Sequence, residues 1–242
     1  MKKNTQTGLL KIIENLVLIH PIFYLICRRF AQYFSIYESE MNNLKKFIKK
    51  KINIIDIGAS DGISAKYFIK NFNIGKIYCF EPNKIYYRNL DDLKKKFLRE
   101  IILNKFGISS NKKKEYVFIP YYKFFNKIFY LSSWAFYDLN LLKKNIKFVF
   151  FFYKSIKISK KYIYLKKFKL IKRKINLIKI DTNGYEYEII KSLEKQIVRD
   201  RPFIIVENNH HKYRIIKHLK KYNYLLKNIS KTNTLNLFFI PQ

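Results

Sequence analysis

Ile52-Asn53-Ile54-Ile55-Asp56-Ile57-Gly58-Ala59-Ser60-Asp61-Gly62 is the stretch that decides the fold. Its first six residues form a short apolar run rich in β-branched side chains, stopped by Gly58, and Ser64 to Asn71 beyond it has a helical pattern. A strand buried on both faces, a glycine turn and a helix are the opening of a strand–helix–strand unit. The unit repeats along the chain. Lys76 to Phe80 is a second strand, followed by Pro82 and a helix with Tyr86, Leu90, Leu93 and Phe97 at steps of four, three and four. Ile101 to Leu103 is a third strand. Ile175 to Ile180 is a fourth, with a helix over Tyr185 to Leu193, and Phe203 to Val206 is a fifth, with a helix over His211 to Lys221. Tyr224 to Ile229 and Thr234 to Ile240 make a terminal pair. The pattern predicts an α/β class, with a doubly wound, mostly parallel seven-stranded sheet and a terminal antiparallel strand.

Around this core the chain of 242 residues carries 50 Lys and Arg against 17 Asp and Glu, a formal net charge of +33. Only eight of the basic residues are Arg. Proteins that grip phosphate draw on the planar fork of Arg, so much of this charge reads as compositional drift in a chain rich in Lys, Ile, Asn, Phe and Tyr. Two acid-free stretches keep an anionic partner in view. Leu139 to Ile180 holds 13 Lys and Arg173, and no acid follows Asn208. Such stretches attract an anionic membrane surface or a polyanionic substrate. Apolar residues at 48% exclude disorder throughout. Two cysteines, Cys27 and Cys79, exclude a disulfide scaffold or Cys-rich zinc module and suit a reducing compartment. No run of eighteen apolar residues occurs, so a transmembrane helix is not expected. The expected location is the cytoplasm, at most peripheral to the inner face of the membrane.

Residues 1–50 stand apart as an N-terminal helical extension to a main domain over 51–242. Leu9, Ile12, Ile13, Leu16 and Ile19 step at helical spacing, with Lys11, Glu14 and Asn15 between them. No small-residue cleavage site follows Cys27-Arg28-Arg29, so an amphipathic helix is expected in place of a signal peptide, packed on the core in preference to lying on a membrane surface. Pro21 should break or kink it. Tyr121 to Lys161 is aromatic and basic without clean periodicity, and reads as an insertion or acceptor cap. Ser132-Ser133-Trp134 lies within it, and Trp134, the only tryptophan, reads as core.

Asp56 with Gly58, Glu81, Asp181 and Glu207 all fall at or just beyond the carboxyl ends of expected parallel strands, the edge where open α/β sheets bind ligands. The loop Gly58-Ala59-Ser60-Asp61-Gly62 lets the backbone turn sharply. It is not the dinucleotide fingerprint G-x-G-x-x-G, because Ser60 and Ile63 stand where glycines belong. A G-x-x-x-G loop behind Asp56 suits a positively charged cofactor without phosphate, such as S-adenosylmethionine. Glu81, followed by Pro82, comes 23 residues after Gly58, the spacing at which a carboxylate accepts from both ribose hydroxyls.

Asp56 to Gly62, then Phe80-Glu81-Pro82-Asn83, then Leu177-Ile178-Lys179-Ile180-Asp181-Thr182-Asn183-Gly184-Tyr185-Glu186-Tyr187-Glu188-Ile189-Ile190, then Pro202 to Glu207, resemble the FkbM family of S-adenosylmethionine-dependent methyltransferases in order and spacing. The resemblance covers about residues 52–224. The family pattern has Glu or Asp where Asn183 stands. The resemblance implies a class I methyltransferase (Rossmann-like) fold and methylation of a hydroxyl, on a sugar of a cell-surface glycan, a glycolipid or a glycosylated metabolite. Asp56, Gly58, Ala59, Ser60, Asp61, Gly62, Glu81 and Pro82 are the expected cofactor-binding set.

Because a sulfonium methyl is already activated, the protein's task is to align acceptor and methyl and to exclude water. A sugar hydroxyl is a poor nucleophile, and a positioned base helps remove its proton. Asp181 is the first candidate and Glu207 the second; His210 and His211 after the fifth strand are further candidates, or a solvated loop. Asp181 and Glu207-Asn208 also match by position the oxygen ligands of metal-dependent O-methyltransferases, which would select Mg²⁺. Two rival readings remain open. An RNA methyltransferase would share the cofactor half, but neither an RNA-binding module nor an Arg-rich stacking face is visible. A non-catalytic peripheral membrane or polyanion-binding protein has no use for the Gly58–Gly62 loop and Glu81.

Overall fold

The structure, a computed structural model, describes residues 21–34, 37–124, 126–149, 153–228 and 235–242. The expected amphipathic stretch from Leu9 to Ile19 and residues 229–234 of the terminal pair lie outside the described residues. In chain order the elements are α1 (Pro21–Phe34), β1 (Ile52–Ile57), α2 (Ile63–Asn71), β2 (Ile74–Phe80), α3 (Tyr87–Lys96), β3 (Ile101–Asn104), β4 (Gly107–Ser109), β5 (Lys113–Phe124) and β6 (Lys127–Tyr130). They continue with α4 (Leu139–Val149), β7 (Lys157–Lys167), β8 (Leu177–Ile180), α5 (Glu186–Ser192), α6 (Glu194–Asp200), β9 (Phe203–Glu207), α7 (Lys212–Lys220), β10 (Tyr224–Lys227) and β11 (Asn236–Pro241). The described residues fall into two compact units, a larger one drawn from 37–115 and 162–242 and a smaller one from 21–34 and the described part of 116–161.

The larger unit is built on a seven-stranded sheet of order β10-β11-β9-β8-β1-β2-β3. β1, β2, β3, β8 and β9 are mutually parallel, and β11 runs antiparallel to β9 and β10. Alternate residues of β1 enter opposite cores. Ile52 and Ile54 pack with Met41, Leu44, Ala65, Phe68 and Leu90, whereas Ile55 and Ile57 pack with Ile178, Ile180, Ile189 and Val206. With both faces buried the strand has no polar alternation, and each such aliphatic side chain contributes about 1.5–3 kcal/mol. The short helical segment Ser39–Lys46 supplies Met41 and Leu44 to the first of these cores.

The chain leaves β1 toward β2 and β3 and later returns to β8 on the other side of β1, so the winding direction reverses there. A crevice outside the strands' carboxyl ends opens at such a switch point. Ile57 pairs with Phe80 of β2 and with Ile180 of β8. That register sets the next residues, Gly58, Glu81 and Asp181, side by side. Entry into β8 is fixed from α6, where Asp200 Oδ2 accepts the Ile175 amide at 2.8 Å and Gln196 Oε1 the Ile171 amide at 2.9 Å.

In the smaller unit, Tyr24 and Leu25 of α1 pack against Leu131, Phe136, Leu142 and Ile146. Pro21 occupies the first turn of α1, where a missing amide hydrogen is tolerated. Trp134 is half-buried in the same cluster, with its ring 6.3 Å from that of Tyr24, whose hydroxyl hydrogen-bonds the Ser133 hydroxyl. β5 and β6 form a hairpin with Tyr121 opposite Tyr130. Asp138 caps α4, its Oδ1 accepting the amides of Asn140 at 2.7 Å and Leu141 at 2.9 Å.

Candidate functional site

The loop from β1 to α2 turns through three left-handed residues, Gly58 (φ 77°), Ser60 (φ 51°) and Gly62 (φ 82°). A Cβ on Gly58 would lie 1.8 Å from the Asp181 carbonyl oxygen, and one on Gly62 would lie 2.6 Å from Leu93 Cδ2. Gly58 is therefore required by the close approach of the Asp181 backbone, and Gly62 by its left-handed turn beside the Leu93 side chain. The Gly58 and Ala59 amides donate to the Phe80 carbonyl, and Asp61 Oδ1 accepts the Ile63 amide at the start of α2. Glu81 ties this loop to the end of β2. Its Oε2 accepts the Ser60 amide and its Oε1 the Asn83 amide, each at 2.8 Å. Burial nevertheless pushes the Glu81 carboxyl up to about 7, outweighing those two hydrogen bonds. Next to it, Ser60 Oγ and Asn83 Nδ2 are buried without a hydrogen-bond partner among the described residues. Buried polar atoms are normally paired, so this corner is shaped for a polar ligand.

Beneath the loop runs a buried charge chain. Lys179, in the middle of β8, is almost completely buried, and its Nζ lies 3.3 Å from Asp181 Oδ2 and 3.6 Å from Asp56 Oδ1. Asp56 Oδ2 accepts from Ser64 Oγ at 2.6 Å. Burial opposes the Lys179 charge, but Asp181, Tyr37, Asp56 and Glu38 together hold its pKa well above the usual lysine range. Burial pushes Asp56 up, against the pull of Lys179 and Ser64. The ammonium is the fixed charge here, because it faces two carboxylates while Asp56 faces one cation. Asp56 is fully buried in this frame. The Asp181 side chain keeps 34% of its surface exposed, at the open edge of the sheet.

The third part is the β8–α5 loop. Glu186, fully buried, accepts from the Thr182 amide at 2.9 Å, Thr182 Oγ1 at 3.0 Å, the Gly184 amide at 3.1 Å and Asn209 Nδ2. Asn183 sits at φ 54°, a left-handed conformation that Asn adopts more readily than most residues. Burial, then the neighbouring Asp181 and Glu186, push the Glu207 carboxyl well above the ordinary range, against the Asn183 amide. It holds its proton where an exposed carboxyl has lost it. His210 reaches over the loop, its Cε1 3.7 Å from where a Cβ on Gly184 would stand, and its ring is 3.9 Å from that of His211. Burial and then His210 lower the His211 pKa.

The structure thus gathers Asp181, Glu207 and His210 around one loop and Gly58, Ala59, Ser60, Asp61, Gly62, Glu81 and Pro82 around the adjacent one. The metal expectation finds no donor set: among the described residues no group of three or more His, Cys, Asp or Glu is arranged to hold an ion. Asp181 is engaged by Lys179, and burial with its acidic neighbours favours the protonated form of Glu207.

The family model of the methyltransferase FkbM domain matches residues 56–227. This chain belongs to the FkbM methyltransferase family. Among solved structures, methyltransferase FkbM from Methylobacillus flagellatus KT superposes with a TM-score of 0.52 at 13% identity, over 82% of this chain and 47% of that one. The chain therefore spans about half the length of that protein, and the likeness establishes the class I, Rossmann-like fold. Ribosomal protein L11 methylase from Lactobacillus delbrueckii subsp. bulgaricus gives 0.47 at 11% identity, over 84% of this chain and 76% of that one. The B. subtilis M1A22 tRNA methyltransferase TrmK also gives 0.47 at 11% identity, over 85% and 67%. A search of the curated proteins finds no match.

Sequence reasoning did not single out Lys179 and Glu186. A charged residue inside the otherwise apolar Leu177-Ile178-Lys179-Ile180 was the available signal for the first. Glu186 carried none, since an acid in a first helical turn is commonplace.

Proposed function

We propose that the chain transfers a methyl group from S-adenosylmethionine to a hydroxyl of a sugar-bearing acceptor, with Asp181 as the base. The observation that carries this reading is Asp181 itself, part-exposed at the switch point and held from behind by the buried Lys179. The residues present fit the cofactor. Each Glu81 oxygen accepts one amide and keeps a second lone pair for a ribose hydroxyl. Ser60 Oγ and Asn83 Nδ2 supply unused polar atoms at the same corner. Asp56 is excluded from direct contact by its burial and acts through Lys179. When bound, the cofactor supplies an activated methyl, whose carbon–sulfur bond breaks as the bond to the acceptor oxygen forms. Asp181 orients that hydroxyl and takes its proton onto a carboxylate oxygen, and the Lys179 ammonium keeps the carboxylate aimed. Glu207, which retains its proton, serves as a donor to the acceptor or to Glu186. His210 is the group placed to pass the proton to solvent.

The sugar acceptor rests on the family resemblance and on a hydroxyl's need for a base. Tritium transfer from labelled cofactor to glycan, lipid-linked sugar and RNA acceptors tests it. Labelling of a glycan or lipid-linked sugar, lost in Asp181→Asn, is the expected result; labelling of RNA alone overturns the acceptor assignment.

A further inference from the structure

On α1, Phe23, Ile26, Phe30, Tyr33 and Phe34 recur at steps of three and four and lie on the face turned away from the core. Tyr24 and Leu25, on the other face, pack into the smaller unit. The outward face is strongly exposed, with Ile26 at 55%, Phe30 at 51% and Tyr33 at 77%. Its rings contact one another: Phe30 and Phe34 lie 4.4 Å apart and Tyr33 and Phe34 5.0 Å apart. Soluble proteins seldom leave a contiguous apolar patch of this kind in water.

The charge of the unit that carries this face indicates what covers it. Among the described residues of 21–34 and 116–161, the basic side chains are Arg28, Arg29 and nine Lys, and all nine Lys are exposed. The single acid there is Asp138, and its carboxylate is committed to capping α4. A second copy of the chain would bring like charges together over this face. RNA bases need ring faces left open for stacking, whereas the rings here pack on one another at 45° and 79° and only two Arg accompany them. A surface that is apolar a few ångströms deep and negative at its rim fits both features.

We propose that α1 docks this unit on an anionic lipid surface, with Phe23, Ile26, Phe30 and Phe34 entering the headgroup–acyl boundary and Arg28, Arg29 and the unit's exposed Lys drawn by lipid charge. No helix among the described residues is long and apolar enough to cross a membrane, so the helix lies along the interface. The full chain is sedimented with vesicles of phosphatidylglycerol and phosphatidylcholine, and with phosphatidylcholine alone, at about 0.05 and 0.5 M salt. Binding to the anionic vesicles at low salt, at least about tenfold weaker in the Ile26→Glu/Phe30→Glu variant at unchanged melting temperature, is the expected result. If that variant melts lower, Tyr33→Glu replaces it. No sedimentation with anionic vesicles overturns the proposal, as does a variant that binds like the wild type, which would leave only diffuse charge attraction. A dimer in solution that the variant converts to monomer, with no vesicle binding, overturns it in favour of self-association.

Discussion

Glu81 accepts two backbone amides, an arrangement that by itself makes a carboxyl a stronger acid. Burial wins, and the group titrates at about 7 in place of 4.5. Because the folded value is the higher one, the stability this group contributes is complete below about pH 4.5 and is lost as pH rises through about 7. Ribose hydroxyls need the ionised form as acceptor, so cofactor affinity moves the opposite way. From pH 8 to pH 6, calorimetry should show affinity for S-adenosylmethionine falling by up to about tenfold per pH unit below 7. Glu81→Gln should flatten that profile, and an unaltered profile would exclude Glu81 as the ligand. Lys179 makes a second case at this scale. Lys179→Met removes the cation and leaves Asp56 buried without its partner, a change that costs about 3–5 kcal/mol. Urea denaturation of Lys179→Met and of the double variant with Asp56→Asn separates the two contributions. The double variant should recover part of the loss, whereas equal loss in both would show that Lys179 acts by packing alone.

The parallel strands were the legible part of the sequence: β1, β2, β3, β8 and β9 carry short apolar runs and appear within three residues of where the pattern sets them. β5, β6 and β7 escaped because aromatic residues take inward and outward positions alike, Tyr122 being buried and Tyr162 and Tyr164 exposed, so the period of two is blurred. α6 escaped because it follows α5 with only Leu193 between them and reads as its continuation. In the site, strand-end acids were legible from position alone. The Asp56–Lys179 contact was not, because adjacency of β1 and β8 brings together residues far apart in sequence. The β8–α5 loop permits a test of which carboxylate does what. Glu186 holds the loop by four hydrogen bonds and Asp181 holds none of them. Glu186→Ala should therefore lower stability by roughly 1–3 kcal/mol. Asp181→Asn should leave cofactor affinity nearly unchanged while turnover falls by about 10²–10⁴-fold. Turnover retained by Asp181→Asn at lowered melting temperature would make Asp181 a structural residue and move the base to His210.

At the scale of the whole molecule the dominant fact is a formal net charge of +33. Like charges at this density oppose compaction, and the opposition is screened by salt over about 8–10 Å at ordinary ionic strength. Salt also weakens attractive pairs, so the sign depends on how many there are. With 17 Asp and Glu against 50 Lys and Arg, most cations have no acid to pair with, and pairs such as Lys95–Asp92, Lys105–Asp91, Lys113–Glu115 and Lys191–Glu188 are exposed. Each such pair is worth about 0–1 kcal/mol. The Asp56–Lys179–Asp181 chain lies mostly out of solvent, where screening reaches it little. Repulsion therefore outweighs attraction among the charges that salt can reach, and the melting temperature should rise by several degrees between about 0.05 and 0.5 M sodium chloride. Most of that rise should come at the low end of the range, because the Debye length shortens fastest there. Sodium chloride is the salt to use, since sulfate would also strengthen apolar burial and confuse the cause. A melting temperature that falls with sodium chloride would mean that attractive pairs hold the fold against its net charge. The Lys surplus would then be matched to partners within the fold, and reading it as compositional drift would fail.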